Sequence, residues 1–238
     1  MTAEEMKTES GAEEMVAFAS REDVLARLRE TRDLSGADLS GMDLAGIKVG
    51  GAKLTGIDLS GANLTKAKIG GADMSEANLS GANASRAKIA GVSLEKGILR
   101  AVNLVASTLA GVSLEKADLS SANLSESKLM GVSFDDANLK SANFSETRMT
   151  GASLKGADLT GADLSESEWK RVDVTDADFT EVNTSEARAG GVDWDAAKVP
   201  PEQLPEEIPL MPPWLPPLIA GIVIALLIVL LRKKKRKA

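Results

Sequence analysis

Every fifth residue from Leu34 to Trp194 is a candidate core position, and this period of five constrains the fold more than any other feature of the chain. Thirty-three such positions follow one another without a gap, and the residue two places before each is usually small or β-branched. A period of five would spread apolar residues around all sides of an α-helix and would alternate them between the two faces of a strand. The pattern therefore predicts a chain that turns a corner every five residues, which is a solenoid.

A second period, of twenty residues, indicates how many sides each coil has. Glycine recurs at this step from Gly51 to Gly191, with Arg171 as the one interruption. Three further series keep the same step: Lys48, Lys68, Lys88, Lys128, Arg148 and Arg188; Asn63, Asn83, Asn103, Asn123 and Asn143; Glu126, Glu146, Glu166 and Glu186. Four pentapeptides therefore make one coil. Coils stacked about 4.8 Å apart would form a rod of about eight coils and about 40 Å.

The repeated phrase resembles the pentapeptide-repeat proteins over about residues 33 to 197, as in Ala37-Asp38-Leu39-Ser40-Gly41. The resemblance implies an all-β solenoid, a right-handed four-sided β-helix of about eight coils. It says much less about activity. The family includes inhibitors of type II topoisomerases that mimic DNA, bacterial effectors, and many proteins with no assigned activity.

The composition argues against an enzyme. The chain has no Cys, His or Tyr, which removes thiol nucleophiles, disulfides, histidine metal sites and the usual Ser-His pairs. The many serines fall at repeat positions that should face outward, where turn and ladder hydrogen bonds account for them. Paired carboxylates such as Asp135 and Asp136 would project from a convex rod without a pocket. We predict no catalytic residue, no cofactor and no metal site.

The N-terminal region predicts a cap for the first coil. Residues 1–19 are acidic and predicted to be flexible, and they lack the basic and apolar regions of a secretory signal, so we expect a cytosolic N-terminus. Ser20 resembles a helix N-cap, and Val24, Leu25 and Leu28 form an apolar stripe on a short helix through about Thr31. Residues 20–32 would then cover the open end of the β-helix at 33–198.

The C-terminal region predicts a membrane anchor. Proline-rich residues 199–215 would form an extended linker, residues 216–231 a transmembrane helix, and residues 232–238 a basic tail. The alternatives are a buried helix, for which the solenoid offers no slot, and a nucleic-acid or nuclear-import patch in the tail. The residues predicted to lie at the membrane surface are Trp214, Arg232, Lys233, Lys234, Lys235, Arg236 and Lys237.

The orientation in the membrane is left open by two conflicting signals. The lack of a secretory signal predicts a tail-anchored, single-pass protein with a cytoplasmic solenoid. The positive-inside rule predicts the opposite, because a cytoplasmic solenoid would send six cations of the tail across the membrane. An external solenoid would need an export route that the sequence does not show.

Two sets of outward residues are candidates for binding a partner. In the early coils Lys66, Lys68, Arg86 and Lys88 share one corner with no acidic residue, which fits either an acidic partner or a solvated face. In the later coils, glutamates lie two residues before cations at that corner, which predicts charges that neutralise one another. Apolar residues replace polar ones at outward positions of one coil and again farther along, which suggests a small docking site: Ile98, Val105 and Met130.

These features together predict a non-catalytic, membrane-anchored scaffold that presents a rigid rod to an unidentified protein partner. One alternative is a regulator of a DNA enzyme that mimics DNA. The 13 acidic and 13 basic residues between positions 33 and 156 argue against it and against a nucleic-acid partner. Another alternative is a secreted effector that inserts its tail into a target membrane. The sequence leaves the oligomeric state open.

Overall fold

The computed structural model describes residues 18–209, and it is a parallel β-solenoid preceded by one short helix, α1, Arg21–Glu30. Nine short strands form one parallel sheet in chain order, and a 3₁₀ turn, Trp194–Ala196, lies between the last two. The strands are β1 Lys48–Gly50, β2 Lys68–Gly70, β3 Lys88–Ala90, β4 Thr108–Ala110, β5 Lys128–Met130, β6 Arg148–Thr150, β7 Glu168–Lys170, β8 Arg188–Gly190 and β9 Glu206–Glu207. The predicted solenoid class and its eight coils are confirmed.

Each coil contains twenty residues, and eight coils run from Leu34 to Asp193. On one side, which we name the strand side, β1 to β8 pair at this step, so that Lys48 lies beside Lys68. The other three sides are joined by single bridges at the same step. We name them the serine side, the aspartate side and the asparagine side after the bridges Ser93–Ser113, Asp38–Asp58 and Asn63–Asn83. The predicted four pentapeptides per coil are thereby confirmed.

The corners explain the glycine series. Every fifth residue from Gly36 to Gly191 has a positive φ of 51–67°, a region that a side chain makes costly. Glycine occupies many of these corners, and charged or small residues occupy the others. The corner amides from Gly36 to Asp176 each find an acceptor in the next coil, as where the Lys66 amide donates to the Ser85 carbonyl at 2.9 Å. This hydrogen bond offsets the conformational cost of turning.

The core is one narrow column inside the rod. The seven period-five leucines that recur at the twenty-residue step on one side are all 3% exposed or less: Leu39, Leu59, Leu79, Leu99, Leu119, Leu139 and Leu159. Burial of each should contribute about 1.5–3 kcal/mol. Where larger side chains enter, they pack against each other, as Phe134 and Phe144 do edge to face at 5.9 Å. The inward assignment of the period-five positions is confirmed.

The asparagine series forms one column on the surface, also as predicted. Consecutive members from Asn63 to Asn143 are bridge partners in neighbouring coils. The Asn63 Oδ1 accepts from the amide of Thr65 at 3.1 Å, and its Nδ2 donates to Asp43 Oδ1 at 2.8 Å. One side chain therefore fixes both the local turn and the contact with the preceding coil.

The helix covers the first coil in the way that the sequence predicts. The Ser20 hydroxyl accepts from the amide of Asp23 at 3.2 Å, which caps the helix. Val24 is fully buried, and Leu25 and Leu28 pack against the same core. The Arg21 guanidinium donates to the Ala45 carbonyl at 2.7 Å, which ties the helix to the open edge of the asparagine side.

The other end differs from the prediction of a free linker, because the described part of residues 199–215 completes the rod. Val199 bridges to Asp178, and β9 pairs with β8. The amides of Glu206 and Ile208 donate to the Ala187 and Ala189 carbonyls at 2.9 and 2.8 Å. The physical reason is the open edge of the last coil, whose polar backbone groups need partners. The prolines of this segment have no amide hydrogen to donate, but the pairing with β8 uses only the amides of Glu206 and Ile208.

Aromatic rings close this end of the core. Trp194 stacks on Trp169 with ring centroids 6.1 Å apart and meets Phe179 edge to face at 5.4 Å. Trp194, the last of the period-five positions, therefore closes the core through ring packing. Within residues 18–209 no helix is both long and apolar enough to cross a membrane. The predicted anchor at 216–231, with Trp214 and the basic tail, lies outside the described residues.

Candidate functional site

The four predicted cations lie together along one corner, and we name them the basic patch. Lys68 and Lys88 are partners on β2 and β3, at the edge of the strand side. Lys66 and Arg86 occupy the two adjacent turns, where the asparagine side meets the strand side. All four side chains are exposed. The structure thus brings together the residues that the sequence proposes as one surface.

The four cations of the basic patch have no counter-ion within the described part of the rod, a property that Lys128 and Arg148 share. Elsewhere cations reach an aspartate of a neighbouring coil, as Lys140 does with Asp158 at 2.9 Å. Partial burial is the largest single influence on the pKa of the Asp158 carboxyl and would raise it. The hydrogen bonds from Thr160 and Lys140 and the charge of Lys140 together outweigh burial, so the pKa is lowered. The basic patch keeps its charge available for an outside partner.

The corner where Lys66 lies continues along the rod with a change of sign. We name this series the corner column, and its members from coil 1 to coil 8 are Gly46, Lys66, Arg86, Ala106, Glu126, Glu146, Glu166 and Glu186. The glutamates were expected to neutralise the cations two residues later. Among the described residues, no such pair comes within ion-pair distance, because a buried residue and the corner itself separate the two side chains.

The apolar residues proposed as a docking site do not share a surface. Ile98, 41% exposed, bridges to Asn78 and Asp118 on the aspartate side. Val105 lies half-buried on the asparagine side, and Met130, 47% exposed, lies on the strand side. The three apolar side chains therefore lie on three different sides of the rod. The expected docking site is not assembled by the fold.

Three serines and a threonine line the inside of the rod, contrary to the expectation that serines face outward. Ser107, Ser127, Thr147 and Ser167 occupy the small inward position just before the strand side. The hydroxyls of Thr147 and Ser167 donate to the Phe144 and Leu164 carbonyls at 2.7 and 2.6 Å. The hydroxyls of Ser107 and Ser127 have no hydrogen-bond partner within the described part of the chain. Their burial keeps them from any substrate.

Aspartates that lie two residues before a Ser or Thr are engaged in the turns of the rod. The Ser75 hydroxyl donates to Asp73 Oδ1 at 2.6 Å and the Ser75 amide at 3.0 Å, and both bonds lower the pKa of that carboxyl. The same arrangement recurs where Asp178 binds Thr180. In residues 18–209 no group of acidic residues is arranged to hold a metal ion.

A groove between α1 and the first coil adds cations that sequence reasoning missed. It encloses about 570 Å³, and its lining includes Arg21, Arg29, Arg32 and Lys48. Lys48 precedes Lys68 on the strand side, so the groove continues the basic patch toward the N-terminal end. Arg32 lies two residues before Leu34, where later repeats carry a small residue, and this break in the pattern was the available signal.

The repeat decides the family. The model for pentapeptide repeats (8 copies) matches residues 43–81, 57–95, 98–136, 133–168 and 157–193, which together exceed half of the chain. This chain belongs to the pentapeptide-repeat family. None of the curated protein sequences matches it.

Solved structures of pentapeptide-repeat proteins are similar at low identity. A trypsin-treated form of QnrB1, a plasmid-mediated fluoroquinolone resistance protein, is 16% identical, with 80% of this chain and 95% of that chain covered and a TM-score of 0.45. HetL, involved in heterocyst differentiation regulation in the cyanobacterium Nostoc, is 23% identical, with 79% and 100% covered and a TM-score of 0.27. A protein of the Arabidopsis thaliana thylakoid lumen is 24% identical, with 58% and 68% covered and a TM-score of 0.31.

Proposed function

We propose that this protein is a non-catalytic interaction rod, held at a membrane by residues 216–231, whose basic patch contacts an acidic surface of a protein partner. Pentapeptide-repeat proteins are generally structural or interaction modules, which supports this class of function. The rod would be the cytoplasmic part of a tail-anchored protein.

The observation that carries the proposal is the exposed basic patch without internal counter-ions. Its backbone is fixed by hydrogen bonds in both neighbouring coils, as where the Lys88 amide donates to the Ala67 carbonyl at 2.8 Å. Binding would therefore cost little ordering of the chain, because only the side chains lose freedom. A cationic surface of this kind also speeds the approach of an acidic partner.

The sequence beyond the rod supports the membrane part of the proposal. Residues 210–231 carry no charge, and the run from Leu218 to Leu231 is continuously apolar. Ile208 is the last described residue bonded to the rod, and the seven residues 209–215 between it and the proposed anchor would span about 24 Å if fully extended. The last coils carry 11 acidic and 3 basic residues between positions 157 and 197, so anionic lipid would repel this end of the rod.

Membrane attachment is tested by fractionating cells that express the full chain. An inserted helix should resist extraction by high salt, whereas attachment through the basic tail alone should be released. Release by salt would contradict insertion. It would also favour the alternative of a soluble regulator of a DNA enzyme.

The basic patch is tested by crosslinking and pull-down with a quadruple variant in which Lys66, Lys68, Arg86 and Lys88 are changed to Glu. The variant should fold normally, because these side chains project into solvent, and should lose the partner. A matched control changes Lys128 and Arg148, two exposed cations farther along the same strand side, to Glu. If the parent and the quadruple variant recover the same amount of partner, the basic patch does not bind the partner and is only a solvated face.

A further inference from the structure

The charges of the corner column are antisymmetric about its fourth member. Counting outward from Ala106, the first neighbours are Arg86 and Glu126, and the second neighbours are Lys66 and Glu146. Each pair has opposite charges at equal distances, since successive members are one coil of about 4.8 Å apart. All four charged side chains are exposed and form no ion pair within residues 18–209. A surface with this symmetry is complementary to itself.

The asparagine side next to this column suits close contact. From coil 2 to coil 6 it presents the asparagine ladder and a second row of short side chains, and it carries no charge outside the corner column. The asparagine side chains are half-buried and are fixed by bonds such as Thr65 amide to Asn63 Oδ1. The row of short side chains is Thr65, Ser85, Val105, Ser125 and Ser145. Its one apolar member, Val105, adjoins Ala106 at the centre of the charge pattern.

We propose that the acidic partner of Lys66 and Arg86, the corner members of the basic patch, is a second copy of this chain, packed antiparallel with the two asparagine sides face to face. A two-fold axis would cross coil 4 at Val105 and Ala106, perpendicular to the rods. Coil 3 of one copy then lies over coil 5 of the other, and coil 2 over coil 6. Arg86 meets Glu126, and Lys66 meets Glu146, twice each. This inference rests on the proposed interaction rod and names its partner.

The same axis extends the match to the ends of the rod. Glu186 of coil 8 lies opposite the position before coil 1, where the Arg21 guanidinium binds the Ala45 carbonyl. Glu166 lies opposite the uncharged Gly46. Among the residues of the asparagine side and the corner column, the one unfavourable pairing is Asp43 with Asp163. Each of these carboxylates already accepts an asparagine Nδ2, from Asn63 or Asn183.

The size of the contact sets its strength. Five coils span about 24 Å, and a side of four residues is about 13 Å wide, so each copy buries about 300 Å². This is below the area of stable dimers, and the pairing belongs with weak, concentration-dependent contacts. Parallel pairing has no such charge match, because it places each corner column over the opposite edge of the partner. The antiparallel pair carries its two C-terminal ends at opposite ends of a rod of about 40 Å.

Single-cysteine crosslinking of the full chain tests the axis, and the absence of natural Cys makes the background low. The probe is a bis-maleimide matched to the spacing of about 10 Å between packed sheets. Val105→Cys should crosslink to itself as a dimer. Thr65→Cys should not, since its two copies lie about 19 Å apart along the rods. A mixture of Thr65→Cys and Ser145→Cys should crosslink again. Equal crosslinking of Val105→Cys and Thr65→Cys alone, or none in any sample, would overturn the proposal.

Charge reversal tests the pairing of the columns. One variant combines Lys66→Glu with Arg86→Glu, and a second combines Glu126→Lys with Glu146→Arg. Each alone places like charges opposite each other and should reduce Val105→Cys crosslinking about tenfold or more. The two variants mixed have complementary columns and should regain it. Failure of the mixture to recover would refute the antiparallel register.

The outcomes also separate this inference from the proposed function. If the parent does not crosslink to itself and the quadruple patch variant loses a different protein, the second copy is wrong and the interaction rod stands. If salt releases the chain from membranes while the crosslinking pattern holds, the anchor is wrong and the antiparallel pair stands.

Discussion

Ile208 should stabilise the C-terminal end of the rod although it lies beyond the last repeat. Its side chain is 6% exposed, and its amide donates to the Ala189 carbonyl at 2.8 Å. Leu204, four residues earlier on the same segment, is 56% exposed. The two residues are both large aliphatics, so they form a matched pair that differs in burial. We predict that Ile208→Ala destabilises the last coil and that Leu204→Ala has little effect.

The magnitude follows from the environment of the side chain. Truncation of a buried Ile to Ala costs about 2–5 kcal/mol, and a site at the open end of a core can partly collapse, so we expect about 2 kcal/mol. For a chain of this size that corresponds to a fall in Tm of about 4–8 °C. Leu204→Ala should change the free energy of unfolding by no more than about 0.5 kcal/mol. Ile208, in this proline-rich segment, should therefore contribute about as much to the stability of the fold as the burial of one core leucine.

Urea unfolding followed by tryptophan fluorescence measures the difference, because Trp169 and Trp194 stack at this end of the core. Gly190→Ala provides an independent perturbation of the same contact. A Cβ at position 190 would clash with the Ile208 carbonyl oxygen and should displace β9. If Ile208→Ala and Leu204→Ala unfold at the same urea concentration, the segment does not close the rod and the assignment fails.

Three further predictions concern the rod itself. Leu119→Asp should prevent stable folding, because position 119 is fully buried and an unpaired charge there has no partner; an unchanged Tm would contradict its inward placement. Ser127→Ala should change the free energy of unfolding by less than about 0.5 kcal/mol, whereas Ser167→Ala should cost about 1 kcal/mol because only Ser167 has a hydrogen bond to lose; calorimetry of both variants decides. The hydrogen bond from the Thr180 hydroxyl lowers the pKa of the Asp178 carboxyl, and it outweighs partial burial, which would raise that pKa. The Asp178 carboxylate therefore stabilises the fold at pH values above about 3.9, which is its pKa in the unfolded chain. This stabilisation is lost as the pH falls through the lower pKa of Asp178 in the folded protein. Asp178→Asn should flatten the acid limb of a Tm-against-pH curve, and an unaltered limb would refute this.

The repeat allowed most of the fold to be predicted, since one register error would have placed every leucine outside. The column from Leu39 to Leu159, the asparagine ladder and the helix cap at Ser20 followed from spacing alone. The C-terminal segment could not be predicted, because residues 199–209 lack the repeat. Their role depends on the open backbone edge of β8, which exists only once the rod has formed.

The candidate site was predicted in part for a related reason. The basic patch was found because its members share the twenty-residue step. Ile98 and Val105 were grouped because they are close in sequence, yet the six residues between them turn a corner at Ala101, and corners decide which side chains share a surface. The arginines of the groove lie outside the repeat, so no period assigned them to the first coil.

The coil of four five-residue sides restricts how the length of this protein can change during evolution. Gain or loss of twenty residues adds or removes one whole coil and leaves every surface column in line. Gain or loss of five would keep each leucine inside but rotate all later residues by one side, so that asparagines would stack on lysines and the closing segment would meet the wrong edge. Duplication in units of twenty is therefore the route by which such a rod lengthens while its binding surface stays continuous.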